Sequence, residues 1–153
     1  MTLLNTFDPK TTEATLQRLN KLAHTTAPQW GKMNSAQMLA HLNIPYDMAY
    51  GKKTPKKSGL FGKLMLKLFV KNIVVGEKPY SKNSPTSPDF IVSDERDFEK
   101  EKALFIANLK ETEAKGASYF EGKESGAFGV LTANQWSIQF YKHLDHHFTQ
   151  FGV

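Results

Sequence analysis

The chain has 153 residues, the size of one ordinary domain with a buried core, and we expect a single domain over residues 1–153. Hydrophobic residues make up 40% and charged residues 23%, a balance that excludes an intrinsically disordered chain. The absence of cysteine excludes disulfides and thiolate ligands, so any metal ion must be held by nitrogen and oxygen atoms. The formal net charge of +5 indicates by itself only weak affinity for anions.

The first residues lack the basic region and the long apolar run of a secretory signal. No apolar run reaches the roughly 18 residues needed to cross a bilayer, and the most apolar stretch, residues 60–75, is interrupted by three lysines. We therefore expect a soluble, cytoplasmic protein with no membrane span. No nucleic-acid-binding motif is evident, so we expect no nucleic-acid partner.

The first predicted helix follows a typical start signal. Asp8 is a suitable N-cap, and Pro9 is favoured at the first helical position. Apolar residues then recur at helical spacing, at Leu16, Leu19, Leu22 and Ala23. Since Pro28 closes the segment, the pattern predicts a helix over residues 9–26.

The second predicted helix begins after Asn34, because Asn34 and Gln37 have the spacing of a capping box. Pro45 lies inside this helix or ends it. A proline has no N–H to donate to the carbonyl four residues earlier, which belongs to His41. We therefore predict a local distortion of the backbone at His41.

Residues 52–93 predict an irregular connection, because they hold four of the seven prolines. Within this connection, residues 60–72 predict a short helix and residues 80–89 an extended loop. The third long helix is predicted to begin at Ser93, with acidic residues in its first turn, and to end at Gly116. Residues 117–130 then predict a glycine-rich loop.

The fourth long helix is predicted to start after Thr132, which forms a second capping-box pattern with Gln135, and to end near Gly152. No convincing set of strands is predicted. Four long amphipathic helices in one small chain predict an all-α fold, a four-helix bundle with a short extra helix in the long loop between helices 2 and 3.

Two histidines of the last helix are predicted to face the protein interior. If Trp136 is set at zero, an advance of about 100° per residue places His143 at about −20° and His147 at about +20°, on the same apolar arc as Phe140. His146 falls at the edge of this arc, at about −80°. Asp145 falls on the opposite side, where we expect it to face water.

An inward pair of histidines four residues apart is typical of a metal site, because imidazoles are costly to bury without partners and a divalent cation binds both as neutral ligands. His41 lies on the apolar arc of the second helix and is the candidate third ligand. The open alternative is that these residues are core histidines without a metal. His24 is interpreted as a structural or surface residue.

Three histidine ligands leave coordination positions free for water or substrate, which is typical of a catalytic site. Nitrogen ligation favours zinc or nickel, with iron or copper as further candidates. We consider three hypotheses: a metal-dependent enzyme, either a transferase or a hydrolase; a non-catalytic bundle that binds a metal or a small ligand; and a structural protein. No acidic residue lies on the inward arc, which favours a transferase whose thiol substrate binds the metal.

The sequence also resembles a known superfamily. The closing stretch with His143, His147 and Gln150 has the form H-x-x-x-H-x-x-Q, and residues 30–42 have the form W-x-x-M-x-x-x-Q-M-L-x-H-L. Together these stretches resemble the DinB-like (YfiT-like) superfamily of metalloenzymes, and within it a subfamily defined as a domain of unknown function. The similarity covers the whole chain.

The resemblance implies a four-helix bundle that binds one metal ion through His41, His143 and His147, with Gln150 beside the last histidine. His146 and Gln150 are predicted to lie next to the ligands without binding the metal. Characterised relatives use a low-molecular-weight thiol such as bacillithiol or mycothiol, so a small-molecule substrate of this class and a homodimer are expected. The Arg-Gly pair common before the glutamine is replaced here by Phe148 and Thr149, so no specific substrate is carried over.

A lysine-rich stretch between positions 52 and 71 has two interpretations. Its seven lysines are not interrupted by any acidic residue, and apolar residues surround the last three, Lys63, Lys67 and Lys71. This is a basic amphipathic pattern that can bind a membrane surface. We favour the other interpretation, a solvated face on a helix that closes the bundle.

Overall fold

The computed structural model describes residues 3–54, 59 and 64–153, with the backbone alone at position 67. Its α-helices are α1 (Pro9–Leu19), α2 (Ser35–Ala49), α3 (Lys71–Val75), α4 (Phe98–Phe120) and α5 (Ala133–Gln150). A π-helical segment, Leu66–Val70, leads into α3, and a 3₁₀ turn covers Pro88–Phe90. The described part of the chain is therefore mostly helical, as predicted.

A small antiparallel hairpin follows α4. Its strands are β1 (Glu124–Ser125) and β2 (Gly129–Val130), with Glu124 opposite Val130 and Ser125 opposite Gly129. The sequence predicted only a loop here, because strands of two residues are too short to show an alternating pattern.

Helix α1 is shorter than predicted and ends at Leu19 instead of residue 26. Beyond it the chain forms turns with two backbone hydrogen bonds between residues three apart. Lys21 N donates to the carbonyl of Arg18, and Leu22 N donates to the carbonyl of Leu19. The hydroxyl of Thr26 then accepts a hydrogen bond from Ala23 N at 2.9 Å. Local side-chain hydrogen bonds of this kind compete with the helical ones. The helix therefore ends before the helical spacing of apolar residues does.

Helix α2 has the predicted capping box. The side chain of Asn34 accepts from Gln37 N at 2.8 Å, and the side chain of Gln37 accepts from Asn34 N at 3.1 Å. Pro45 lies inside the helix, which continues to Ala49. The distortion expected at His41 does not break the helix.

Helix α4 begins at Phe98, five residues later than predicted, because Asp97 caps it by accepting from Lys100 N at 3.0 Å. Gly116 has the non-helical angles φ 67° and ψ 177°, a conformation that is essentially restricted to glycine. The straight part of the helix thus ends where it was predicted to end, and one more helical turn brings the fully buried Phe120 into the core.

The core lies between α2, α4 and α5 and is rich in aromatic rings. Helix α2 packs against α4 and α5, and α4 also packs against α1 and α5. Tyr46 stacks on Phe140 with ring centroids 4.5 Å apart, and Phe120 meets the edge of Phe140 at 5.7 Å. Stacked and edge-to-face pairs of this kind add about 0.5–1.5 kcal/mol each to the burial of the rings.

Helix α5 begins with the predicted capping box of Thr132 and Gln135 and ends at Gln150. The expectation that Asp145 faces water is wrong, because its side chain is only 21% exposed. It accepts a hydrogen bond from the guanidinium of Arg18 at 2.6 Å, which joins α1 to α5. In the described residues, no helix is both long enough and apolar enough to cross a membrane.

The capping box fixes the start of the helix that carries two of the candidate ligands. We expect Thr132→Ala to lower the free energy of unfolding by about 1 kcal/mol, because Gln135 N loses its side-chain acceptor. Thr149→Ala, an exposed position in the last turn of the same helix, is the matched control and should cause no loss. Denaturant unfolding followed by circular dichroism measures both, and equal effects would rule out a capping role.

Candidate metal centre

The structure brings together the three histidines that the sequence singled out as ligands. His41 comes from the middle of α2, and His143 and His147 come from successive turns of α5. One ring nitrogen of each lies within 4.8 Å of the others, and the group could hold a metal ion. The ring centroids are 4.6–4.9 Å apart. His41 and His147 are buried, and His143 is partly exposed at the rim.

The outer nitrogen of His41 is fixed by the backbone of the connection between α2 and α4. Its Nδ1 lies 2.7 Å from the carbonyl oxygen of Phe90, the last residue of the 3₁₀ turn. Because a carbonyl can only accept, Nδ1 must carry the proton, and Nε2 is left with its lone pair. The ring of Phe90 also packs against the His41 ring, at 5.7 Å.

The outer nitrogen of His147 is fixed in the same way by Gln150. Its Nδ1 lies 2.7 Å from the Oε1 atom of Gln150. The amide nitrogen of Gln150 donates to the carbonyl of Trp30 at 2.6 Å, which orients the amide with its oxygen toward the histidine. His147 therefore carries its proton on Nδ1 and has its Nε2 lone pair free for a ligand bond.

The inner nitrogens of the cluster are in contact. His143 Nε2 and His41 Nε2 are 2.8 Å apart, and since His41 Nε2 is an acceptor, the proton between them belongs to His143. Two nitrogens bound to one tetrahedral zinc are about 3.3 Å apart. Binding of a cation at this point would therefore require a small outward movement of His143 and a shift of its ring proton from Nε2 to Nδ1, which leaves Nε2 as a ligand atom.

The hydrogen bonds behind the histidines are compatible with a metal ion at the cluster. Histidines that bind a metal characteristically donate their second ring N–H to a carbonyl or a side-chain oxygen, which fixes the tautomer and raises the basicity of the ligand atom. His41 and His147 both do so, with a carbonyl and an amide oxygen as partners. No carboxylate among residues 3–54, 59 and 64–153 joins the cluster.

Electrostatics keep the cluster neutral. Burial lowers the pKa of His41, although its hydrogen bond to Phe90 raises it in part. Burial lowers the pKa of His147 to about 3, and that of His143 is held well below its ordinary value by burial and by the neighbouring histidines. The ring nitrogens are thus free of added protons at neutral pH, the state in which imidazole binds a metal.

His146 lies beside the cluster and not in it. Its ring is 5.0 Å from that of His147 and packs against Trp30 and Tyr80 at 5.9 and 5.7 Å. Burial lowers the pKa of His146, and the nearby Asp145 raises it in part. His24 is exposed, with its ring against Phe98.

Sequence reasoning missed Lys142, which is fully buried next to His143. Its ammonium donates to the carbonyls of Ile73 and Gly76 at 2.5 Å and lies over the ring of Tyr80. Burial lowers the pKa of Lys142 to about 8. An advance of about 100° per residue puts Lys142 outside the apolar arc, and its carbonyl partners come from a distant connection, so the sequence carries no signal of its burial.

The neutral histidines should make the metal-free protein sensitive to acid. In the folded state their pKa values lie below 6.5, so as the pH falls past that value the unfolded chain binds protons before the folded one does. The free energy of unfolding should therefore decrease as the pH falls below 6.5, and the loss continues toward the pKa of about 3 of His147. Denaturant unfolding of chelator-treated protein over a pH series measures this.

His143→Gln is the control for this effect, because it removes one of the groups that titrate and keeps a polar side chain. The dependence of its unfolding free energy on pH should be shallower than that of the parent protein. A free energy of unfolding that stays constant in the parent from neutral pH to about pH 5 would contradict the neutral cluster.

A family model described as "Protein of unknown function (DUF1569)" matches residues 3–152. No curated protein and no solved structure matches the chain. The match begins before α1 and extends past Gln150, so it includes all three histidines and the elements that carry them. The chain belongs to the DUF1569 family.

Proposed function

We propose that residues 1–153 form one domain, a DinB-like four-helix bundle of α1, α2, α4 and α5, that binds one divalent metal ion and acts as a metal-dependent enzyme. His41, His143 and His147 are the proposed ligands, and zinc or nickel is the proposed ion. The observation that carries the proposal is that three imidazole nitrogens lie within 4.8 Å of one another. The rings of His41 and His147 are in addition oriented by hydrogen bonds at Nδ1.

The reaction class follows from what the cluster contains. Three neutral ligands leave the charge of a dication uncompensated and leave positions open beside the partly exposed His143. A bound ion of this kind supplies a Lewis acid that stabilises a thiolate or polarises a carbonyl. Since no described carboxylate joins the cluster to serve as a general base, a thiol-dependent transferase is favoured over a hydrolase. A low-molecular-weight thiol is the proposed substrate class.

The same absence of a carboxylate supports a second candidate, a non-catalytic bundle that binds a metal or a small ligand. The first candidate requires the metal, and the two candidates differ in turnover. A screen of low-molecular-weight thiols with electrophilic acceptors distinguishes them, because only the enzyme transfers the thiol. A homodimer and a cytoplasmic location remain part of the proposal; the absence of cysteine fits a reducing compartment.

Metal content tests the central claim. The protein, purified without a histidine tag, should contain about one equivalent of zinc or nickel by elemental mass spectrometry, the stoichiometry of a single three-ligand site. His41→Ala should lose the metal, because two histidines on one helix are left as ligands. His24→Ala, which removes an exposed histidine outside the cluster, is the matched control and should retain it.

Circular dichroism shows whether the His41→Ala protein is folded, so that loss of metal is not confused with loss of structure. A parent protein that takes up no metal from excess zinc or nickel would overturn the proposal. Equal metal content in the His41→Ala and parent proteins would also overturn it.

Gln150 should influence metal affinity through His147. Gln150→Met removes the acceptor for His147 Nδ1, and we expect it to lower metal affinity by about 10- to 100-fold. Gln150→Glu is the matched variant, because it keeps an oxygen acceptor for Nδ1 but cannot donate to Trp30, and its affinity should stay closer to that of the parent. Competition with a chromophoric chelator measures both. Equal affinities of the two variants would show that the hydrogen bond to His147 is unimportant.

A further inference from the structure

Gln139 lies one turn before His143 on helix α5 and carries a buried oxygen atom without a partner. Its Oε1 atom is shielded from water, and no donor among residues 3–54, 59 and 64–153 forms a hydrogen bond with it. Unpaired buried polar atoms are rare in folded proteins, and they recur where an ion, a water molecule or a catalytic step supplies the missing partner. The structure thus leaves one acceptor near the histidine cluster unused.

His143 has the complementary deficiency. Its Nε2 lies 2.8 Å from Nε2 of His41 and carries the proton between them, and the His143 side chain forms no other hydrogen bond with the described part of the chain. A neutral imidazole has a single ring proton, so Nε2 becomes a ligand atom only when that proton is on Nδ1. Nδ1 of His143 then becomes a donor and needs an acceptor.

Helical geometry brings the unused acceptor close to this nitrogen. Residues four apart are neighbours on one face of a helix, and a helical side chain leans back over the turn that precedes it. The ring of His143 therefore leans toward Gln139, with Nδ1 as the ring nitrogen nearer to the helix backbone. Gln150 shows that a glutamine at similar spacing on the same helix can serve this purpose, because it accepts from Nδ1 of His147 at 2.7 Å.

We propose that Oε1 of Gln139 accepts a hydrogen bond from Nδ1 of His143 when a metal ion is bound, and so positions His143 as a ligand. The inference rests on the metal site proposed above. The carbonyl of Phe90 and the side chain of Gln150 already provide such acceptors for the other two histidines. An acceptor of this kind fixes the tautomer of the ring and raises the basicity of the ligand nitrogen.

A neighbouring donor on the same helix is already engaged elsewhere. Lys142 lies three residues after Gln139, but its ammonium donates to the carbonyls of Ile73 and Gly76 and forms no hydrogen bond with Gln139. A bound water molecule is the alternative partner for the oxygen. Such a water would satisfy the oxygen with or without a metal ion, so the stability of the metal-free protein distinguishes it from His143.

The test compares two substitutions of Gln139 by competition with a chromophoric chelator for zinc. Gln139→Met removes the acceptor and should weaken zinc binding by about 10- to 100-fold, the usual effect of losing such a partner. Gln139→Glu keeps an oxygen acceptor and should bind zinc at least as tightly as the parent protein, because its carboxylate forms the stronger, charge-assisted hydrogen bond. Gln17→Met, the same change at an exposed position of α1, is the matched control and should bind like the parent.

Two further measurements separate this role from a merely structural one. Denaturant unfolding without metal should show that Gln139→Met is no less stable than the parent, because the oxygen that it removes has no partner there. Nitrogen-15 NMR of the zinc-loaded parent should show the proton of His143 on Nδ1. Exchange of this proton with water should be slow in the parent and in Gln139→Glu, and faster in Gln139→Met.

Equal zinc affinity of Gln139→Met and the parent would overturn the inference and leave the proposed metal site intact. A parent protein that binds no metal would overturn the metal site itself, and the inference with it. Lower stability of metal-free Gln139→Met would show that the oxygen has a partner without the metal and would also overturn the inference. Weaker zinc binding that Gln139→Glu restores, with no loss of metal-free stability in Gln139→Met, would establish it.

Discussion

The burial of α2 is the constraint on which the rest of the structure depends. Its residues pack on α4 and α5, and most of them are removed from water, including Asn43 and His41. A buried polar group without a partner costs about 1–3 kcal/mol, so the side chains of Asn43 and His41 require polar groups opposite them. The hydrogen-bonding groups of Asn43 are satisfied by α4: Asn43 donates to the Glu101 carboxylate at 2.9 Å and accepts from Asn108 at 3.1 Å.

His41 is a buried residue of α2 whose two ring nitrogens both require polar partners. One nitrogen is satisfied by the carbonyl of Phe90, in the connection between α2 and α4. The other nitrogen lies 2.8 Å from Nε2 of His143, and the ring of His147 lies 4.6 Å from that of His41. The connection and the last helix are thus arranged around one imidazole, and a cation at that point would complete the bonding of all three rings.

The sequence was most informative where a local interaction defines an element. The starts of α2 and α5 were predicted correctly, because capping boxes are formed by residues three apart. The three histidines were found because helical spacing alone places two of them on one face. Prediction failed where the partner is distant or the element is short: the end of α1, the two-residue strands, and the buried side chain of Lys142, whose acceptors lie about seventy residues away. The contact between His41 and Phe90 depends on an irregular connection, which no periodicity describes.

The bond between Gln150 and Trp30 makes the turn before α2 part of the electronic environment of His147. That turn is held closely: Gln29 N donates to the Gln150 carbonyl at 2.8 Å, and a Cβ atom at Gly31 would stand 2.5 Å from the Gln150 amide nitrogen. Because hydrogen bonds in a chain polarise one another, the Trp30 carbonyl strengthens the pull of the Gln150 oxygen on the imidazole proton. The electron-donating power of His147 is therefore adjustable from a loop about 120 residues earlier in the chain, without any change to the three histidines themselves.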